Sequence, residues 1–179
     1  MNTQSLKIKE KLQHRTMFLA LLIFYFLLFN FATFAQEEPP IDVVPAPEVL
    51  LSKTEIKDLD SEKNIKKRTQ LSLEIMEIRL KNAETFNGQP KFKEVLSELG
   101  SYQALLEDSF KFLEMNDLKN EKVQNNIKNL EITLKKHTSR RELIRREMPF
   151  KFSWHVGKLM KLVRQIRSKA IEPLFGQIN

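Results

Sequence analysis

The sequence predicts an all-α protein, an up-down bundle of about four helices that follows a signal or anchor segment and a Pro-rich linker. Three observations support this class. After residue 51, apolar residues recur every three or four positions, which is the spacing of an amphipathic helix. No segment alternates polar and apolar residues as a half-buried strand does, and the chain has only 4 glycines. Amphipathic helices joined by short loops bury their apolar stripes against one another, which gives a bundle.

The N-terminus predicts export across the cytoplasmic membrane. An unbroken apolar run of 13 residues, Met17–Phe29, follows a basic region that contains Lys7, Lys9, Lys11 and Arg15. Thr33 and Ala35 place small residues where a signal peptidase cleaves. We therefore expect residues 1–35 to be a signal peptide and the protein to be periplasmic or secreted.

The same segment leaves a membrane anchor open as the alternative. Counted through Ala35, it is about 28 Å long as a helix, which is nearly enough to span a bilayer. Counted to Asn30, the first polar residue, it is only 13 residues long, which is typical of a signal peptide. Because the N-terminal region is basic and the far flank (Glu37, Glu38 and Asp42) is acidic, the positive-inside rule predicts a cytoplasmic N-terminus in either case.

A linker is predicted over residues 36–50, and the helical domain over 51–179. Four prolines within Gln36–Glu48 favour an extended chain, partly polyproline II, because proline fixes φ and lacks an N–H group. We expect this segment to act as a spacer or tether between the export signal and the domain.

The first helix is expected to be long and partly coiled-coil-like. Ser52 and Glu55 form a capping-box pattern, and no Gly or Pro interrupts the chain from there to Glu84. A helix of this length could pair with a second copy of the chain, so a homo-oligomer is left open. Its middle, Glu62–Gln70, is almost entirely polar and is expected either to be exposed or to leave the bundle.

Three further helices are predicted from their apolar stripes. They run from about Lys91 to Met115, from Leu118 to Glu147 and from Phe150 to about Glu172. Gly100 lies in the middle of the first of these and predicts a bend, because glycine is unfavourable inside a helix.

Composition and motifs exclude several kinds of function. The chain has no cysteine, so disulfides, thiolate metal sites and a cysteine-linked lipid are excluded. No P-loop, dinucleotide-binding or nucleophile-elbow motif occurs. His137 and His155 have no good metal ligand three or four residues away, and His137 is expected at the edge of the core. We therefore expect a non-enzymatic protein without a cofactor or a metal.

Charge divides the chain into an acidic and a basic part. Residues 36–118 carry 11 Lys/Arg against 17 Asp/Glu, whereas residues 119–179 carry 15 against 5, a net charge of −6 and +10. A block this basic predicts contact with an anion. The candidate anion-binding residues are Arg140, Arg141, Arg145, Arg146, Lys158, Lys161, Arg164, Arg167 and Lys169.

Outside the cytoplasm the anion would be a lipid headgroup, an acidic glycan or an acidic protein. Nucleic acid is not expected, because export removes the usual target and no DNA-binding motif is present. The leading hypothesis is an exported helical protein of the cell envelope with a binding, structural or chaperone-like role. The alternative is a single-pass membrane-anchored protein whose C-terminal amphipathic helix lies on the membrane. In a simpler interpretation, the apolar face of that helix closes the bundle and its cations stay solvated.

Overall fold

The computed structural model describes residues 42–175, and side chains through residue 172. These residues lie in one compact unit, Pro39–Asn179, and contain six helices and no strand. The helices are α1 Lys53–Ser61, α2 Ile65–Asn87, α3 Phe92–Glu114, α4 Glu121–Lys136, α5 Thr138–Glu147 and α6 Phe150–Phe175. The all-α class is thus confirmed. The predicted signal or anchor segment lies outside the described residues.

Helices α2–α6 pack around one apolar core. Helix α3 packs along α2, α6 contacts α3, α4 and α5, and α1 contacts α2 alone among the helices. The core side chains repeat at helical spacing, as the apolar stripes predicted. They include Met76 and Leu80 of α2, Leu99, Tyr102 and Leu106 of α3, Ile127, Leu130 and Leu134 of α4, Ile144 of α5, and Val156, Leu159 and Val163 of α6.

The prediction of one long first helix is wrong, because the chain leaves the helix between α1 and α2. The capping box at Ser52 is present, with the Glu55 carboxylate 2.7 Å from the Ser52 amide. A second cap then starts α2, where the Asn64 side chain accepts a hydrogen bond of 3.1 Å from the Lys67 amide. An asparagine that can cap a helix competes with continuing one.

The prediction that Glu62–Gln70 is exposed is also wrong in its second half. Arg68 and Thr69 are buried, with Thr69 only 2% exposed. The Arg68 guanidinium lies 3.2 Å from the Asp108 carboxylate and 4.4 Å from the centre of the Phe112 ring. A polar side chain can turn inward where a partner on the neighbouring helix accepts its charge, and a hydropathy pattern does not record that partner.

The predicted third helix is divided into α4 and α5 at His137. The backbone still follows helical hydrogen bonding there, since the His137 amide bonds to Thr133 O at 3.0 Å and the Arg141 amide bonds to His137 O at 3.1 Å. The two helices therefore follow each other directly, with one residue between them. Helix α6 begins at the predicted residue, Phe150.

Residues 42–51, which we call the strap, form neither a helix nor a strand and lie against the bundle. The Val44 amide donates to Lys151 O at 3.2 Å, and His155 Nε2 donates to Val44 O at 2.7 Å. A Cβ atom at Gly100 would overlap the Glu48 carbonyl oxygen. The missing side chain of Gly100 therefore allows the strap to lie close to α3, and α3 continues as a helix through Gly100.

Candidate anion-binding surface and the network beside it

A chain of four buried or half-buried polar side chains links α2, α3 and the start of α5. Arg141 Nη1 lies 2.6 Å from Tyr102 Oη, Tyr102 Oη lies 3.1 Å from His137 Nδ1, and His137 Nε2 lies 2.9 Å from Glu77 Oε2. Tyr102 is fully buried, and His137 and Arg141 are each 1% exposed. His137 was expected at the edge of the core and lies inside it.

The donors in this network can be assigned from chemistry. A guanidinium only donates and a carboxylate only accepts, so Arg141 donates to the Tyr102 oxygen and His137 Nε2–H donates to Glu77. The Tyr102 hydroxyl is then left to donate to His137 Nδ1, which requires a neutral imidazole. Burial lowers the pKa of His137, against the opposing effect of Glu77, and raises the pKa of Tyr102 to about 12. Both directions keep the network in this single arrangement.

The structure removes Arg141 from the candidate anion-binding residues. Besides Tyr102, its guanidinium donates to the Leu134 carbonyl oxygen at 3.1 Å, and no carboxylate pairs with it among the described residues. A side chain that is 1% exposed and held at two points does not reach a partner molecule. The sequence placed Arg141 beside Arg140 in a basic run, and only the packing of α5 distinguishes them.

Four other predicted arginines are exposed or half-buried but are bonded to carboxylates of the same chain. Arg140 forms two bonds of 2.6 and 2.7 Å to Glu84 and one of 2.7 Å to Glu77, which raise its pKa. Arg145 and Arg146 share Glu142, and their hydrogen bonds hold its pKa at about 2. Arg167 bonds to Glu131 of α4 at 2.6 Å. Much of the predicted basic surface of α5 is therefore neutralised locally.

The remaining predicted residues, Lys158, Lys161, Arg164 and Lys169, form what we call the cationic face of α6. All four are exposed, and the sequence has no Asp or Glu from Met148 to Ile171. Lys158 lies 5.7 Å from the centre of the Trp154 ring, a contact that leaves its charge intact. Within residues 42–175, no ion pair involves Arg164 or Lys169.

The opposite face of α6 belongs to the core. Its buried side chains are Phe152, Val156, Leu159, Val163, Ile166 and Ala170. This is the simpler of the two arrangements that the amphipathic pattern allowed, in which the apolar face closes the bundle and the cations stay in water.

The sequence did not reveal a cleft where the α1–α2 junction faces α4. We call it the asparagine–lysine cleft, and its volume is about 660 Å³. It is lined by Lys63, Asn64, Ile65, Lys66, Lys122, Asn125, Asn126 and Asn129. The helical spacing of Lys122, Asn126 and Asn129 is a signal that could have been noticed. The chain break at the α1–α2 junction, which forms the other wall, was not foreseen.

The described part of the chain contains no group of three His, Cys, Asp or Glu side chains placed to hold a metal ion. None of its helices combines the length and apolar character that crossing a bilayer requires. Comparisons with known protein families, with curated proteins and with solved structures find no match to this chain.

Proposed function

We propose that this chain is an exported, non-enzymatic helical protein of the cell envelope that binds an anionic surface or partner through the cationic face of α6. The observation that carries the proposal is the contrast within one helix. The apolar side of α6 is used by the core, whereas its solvent side presents Lys158, Arg164 and Lys169, which form no ion pair within the described residues. Charges that the fold does not pair are available to a partner of opposite sign.

An up-down order of the helices is part of this proposal. Arg68 pairs with Asp108 and Arg79 pairs with Glu98, so residue numbers rise along α2 where they fall along α3. The Arg167–Glu131 pair also joins α6 to α4. Because its apolar residues lie in the core, α6 keeps its cationic face on the outside of the bundle.

Burial of the apolar side of α6 favours surface contact over the alternative, in which this helix lies in the membrane interface. An interfacial helix buries its apolar face among lipid chains. Here that face would first have to leave the core. Headgroup contact through the cations requires no such change, whether or not residues 1–35 stay attached. A homo-oligomer through the first helix loses its main support, because α1 and α2 are separate helices.

The export part of the proposal has a direct test. N-terminal sequencing of the protein recovered from producing cells should give Gln36 as the first residue of a species released from the membrane. Recovery of the intact chain in the membrane fraction alone would support the anchored alternative.

The binding part is tested with vesicles that contain anionic lipid and with neutral vesicles, using the exported protein as cells release it. Replacing Lys158, Arg164 and Lys169 together with glutamine should weaken binding to anionic vesicles about 100-fold, since each surface cation contributes about 1 kcal/mol. A matched variant replaces Lys57, Lys111 and Lys119, which are exposed on other parts of the bundle, and has the same net charge.

The comparison between the two triple variants decides the proposal. Binding should be lost at high salt, because exposed charges are screened within about 10 Å at 0.1 M salt. Equal weakening of both variants would show that only net charge matters. Absence of binding to anionic vesicles, to an acidic polysaccharide and to an acidic protein would remove the proposed function altogether.

A further inference from the structure

We propose that the asparagine–lysine cleft binds an acidic saccharide and that a hexuronic acid unit is the group it recognises. The cleft is a different surface from the cationic face of α6, so it does not depend on the binding function proposed for that face. Its volume, about 660 Å³, lies within the usual range of small-molecule sites. One wall is the beginning of α2 and the other is the first half of α4.

Three lysines give the cleft its charge. Lys63, Lys66 and Lys122 are exposed at its rim, and no ion pair involves them within the described residues. The first amide groups of α2 also point out of the helix at this wall, and they carry its partial positive charge. Glu62 is an acidic residue at the α1–α2 junction, and its carboxylate accepts a hydrogen bond of 2.7 Å from the backbone N–H of Asn64. The cleft therefore favours an anionic ligand.

An asparagine on the cleft wall favours a ligand that carries hydroxyl groups as well as a negative charge. Asn126 lines the cleft, although the residue is only 4% exposed. Its Nδ2 donates to the Lys122 carbonyl oxygen at 2.7 Å, and its Oδ1 accepts no hydrogen bond from the described part of the chain. This oxygen is at the cleft wall and is free to accept a hydrogen bond from a ligand O–H group.

The two requirements together select the ligand class. Fully ionised sulfate has acceptor oxygens only, so it would satisfy the lysines and leave Asn126 Oδ1 without a donor. A sugar acid supplies a carboxylate for the lysines and hydroxyl groups for Asn126. Asn125 and Asn129 are exposed on the same wall, and each amide can donate to one sugar oxygen and accept from another.

The test uses a defined probe, the trimer of galacturonic acid, and the exported protein. Titration calorimetry should detect binding of the trimer and much weaker binding of its methyl ester, which keeps the hydroxyl groups but not the charge. Lys122→Gln should weaken binding about tenfold, the usual effect of losing a hydrogen bond to a charged group, and Asn129→Ala about fivefold, the usual effect of losing a neutral one. Both side chains are exposed, so the fold should tolerate their loss.

Lys128→Gln is the matched control, because Lys128 is exposed on the same helix but does not line the cleft. Its binding should stay within twofold of the parent protein. The triple variant of the α6 cationic face should bind the trimer normally, which separates this proposal from the function proposed above.

Several outcomes would overturn the saccharide site. They are no binding of the trimer, equal weakening by Lys122→Gln and Lys128→Gln, and undiminished binding of the methyl ester. Displacement of the trimer by equimolar inorganic phosphate or by an acidic peptide would show instead that the cleft selects charge without selecting a sugar.

Discussion

Helix α5 and the outer side of α6 are both rich in cations, but different groups surround those cations. All four arginines of α5 bond to groups of the same chain, either Tyr102 and a backbone carbonyl in the core or the carboxylates of Glu77, Glu84 and Glu142. Along α6 the sequence offers no carboxylate from Met148 to Ile171. Arg167 of α6 pairs with Glu131 of α4, whereas no ion pair involves Arg164 or Lys169 within residues 42–175.

The difference shows that net charge overstates the charge available for binding. The arginines of the densest basic run of the sequence, from Arg140 to Arg146, are all bonded to groups of the same chain. The more widely spaced cations of α6 remain exposed to water. A charge becomes a binding feature where the neighbouring helices supply no opposite charge, and that depends on packing.

The largest effect we expect comes from removing one arginine from each region and comparing the stability of the two variants. Arg141→Ala should lower the free energy of unfolding by about 3 kcal/mol, because it leaves a cavity and removes the donors to Tyr102 Oη and Leu134 O. Arg164→Ala should change it by less than about 0.5 kcal/mol and should weaken binding to anionic vesicles. Urea denaturation is followed by the fluorescence of Trp154, the single tryptophan.

Arg141→Met is a useful companion variant, since it restores most of the volume but none of the hydrogen bonds. Equal stability of the Arg141→Ala and Arg164→Ala variants would contradict the comparison. So would a loss of vesicle binding in Arg141→Met when its fold is intact.

Two glycines provide the next comparison, between the covered and the open side of the bundle. Gly100→Ala should destabilise the protein by about 2 kcal/mol, because its methyl group would force the Glu48 carbonyl and the strap away from α3. Gly157→Ala, on α6, meets nothing within 4 Å and should stabilise the protein by up to about 1 kcal/mol, the difference in helix propensity. Urea denaturation measures both effects.

Limited proteolysis with a protease that cleaves after glutamate gives a second measurement. Cleavage at Glu48 should become faster in the Gly100→Ala variant and should stay unchanged in the Gly157→Ala variant. If both alanines stabilise the protein equally, the strap does not press on α3 as described.

The helices of this bundle could be predicted because core positions follow one period, as in Ile127, Leu130 and Leu134 of α4. The end of the first helical segment could not, because Asn64 acts as a cap only when the chain folds back there. The strap was predicted to be extended, but its contact with α3 depends on Gly100, whose role is visible only beside Glu48.

The candidate site was predicted in part. Lys158, Arg164 and Lys169 are exposed as a cationic stripe should be, and their anion-binding role stays a prediction. Arg141 was misassigned because a basic run does not show which side chain points inward. The asparagine–lysine cleft was missed because its two walls come from segments about sixty residues apart, as Asn64 and Asn126 illustrate.

The smallest effect we expect is a pH dependence that belongs to the α5 side alone. His137 faces Glu77, Tyr102, Arg140 and Arg141, and burial lowers its pKa below the ordinary value of 6.5. The unfolded chain therefore binds more protons than the folded one as the pH falls below 6.5. Stability should decrease in that range, by no more than about 1.4 kcal/mol per pH unit for one proton.

His137→Gln should reduce the change of unfolding free energy between pH 6.5 and 5, whereas His155→Gln should leave this change as it is in the parent protein. Glu77 and Glu142 do not explain a loss in this range, because ion pairing lowers the pKa of both carboxylates below 4.5. His137 is buried in the core and is not part of the cationic face of α6, so binding to vesicles whose lipid charge is constant should not change while the protein is folded. The measurements are urea titrations and vesicle binding at each pH. The expected difference between the two regions would be contradicted if stability and vesicle binding changed together. It would also be contradicted if the stability of His137→Gln still fell with pH as steeply as that of the parent protein.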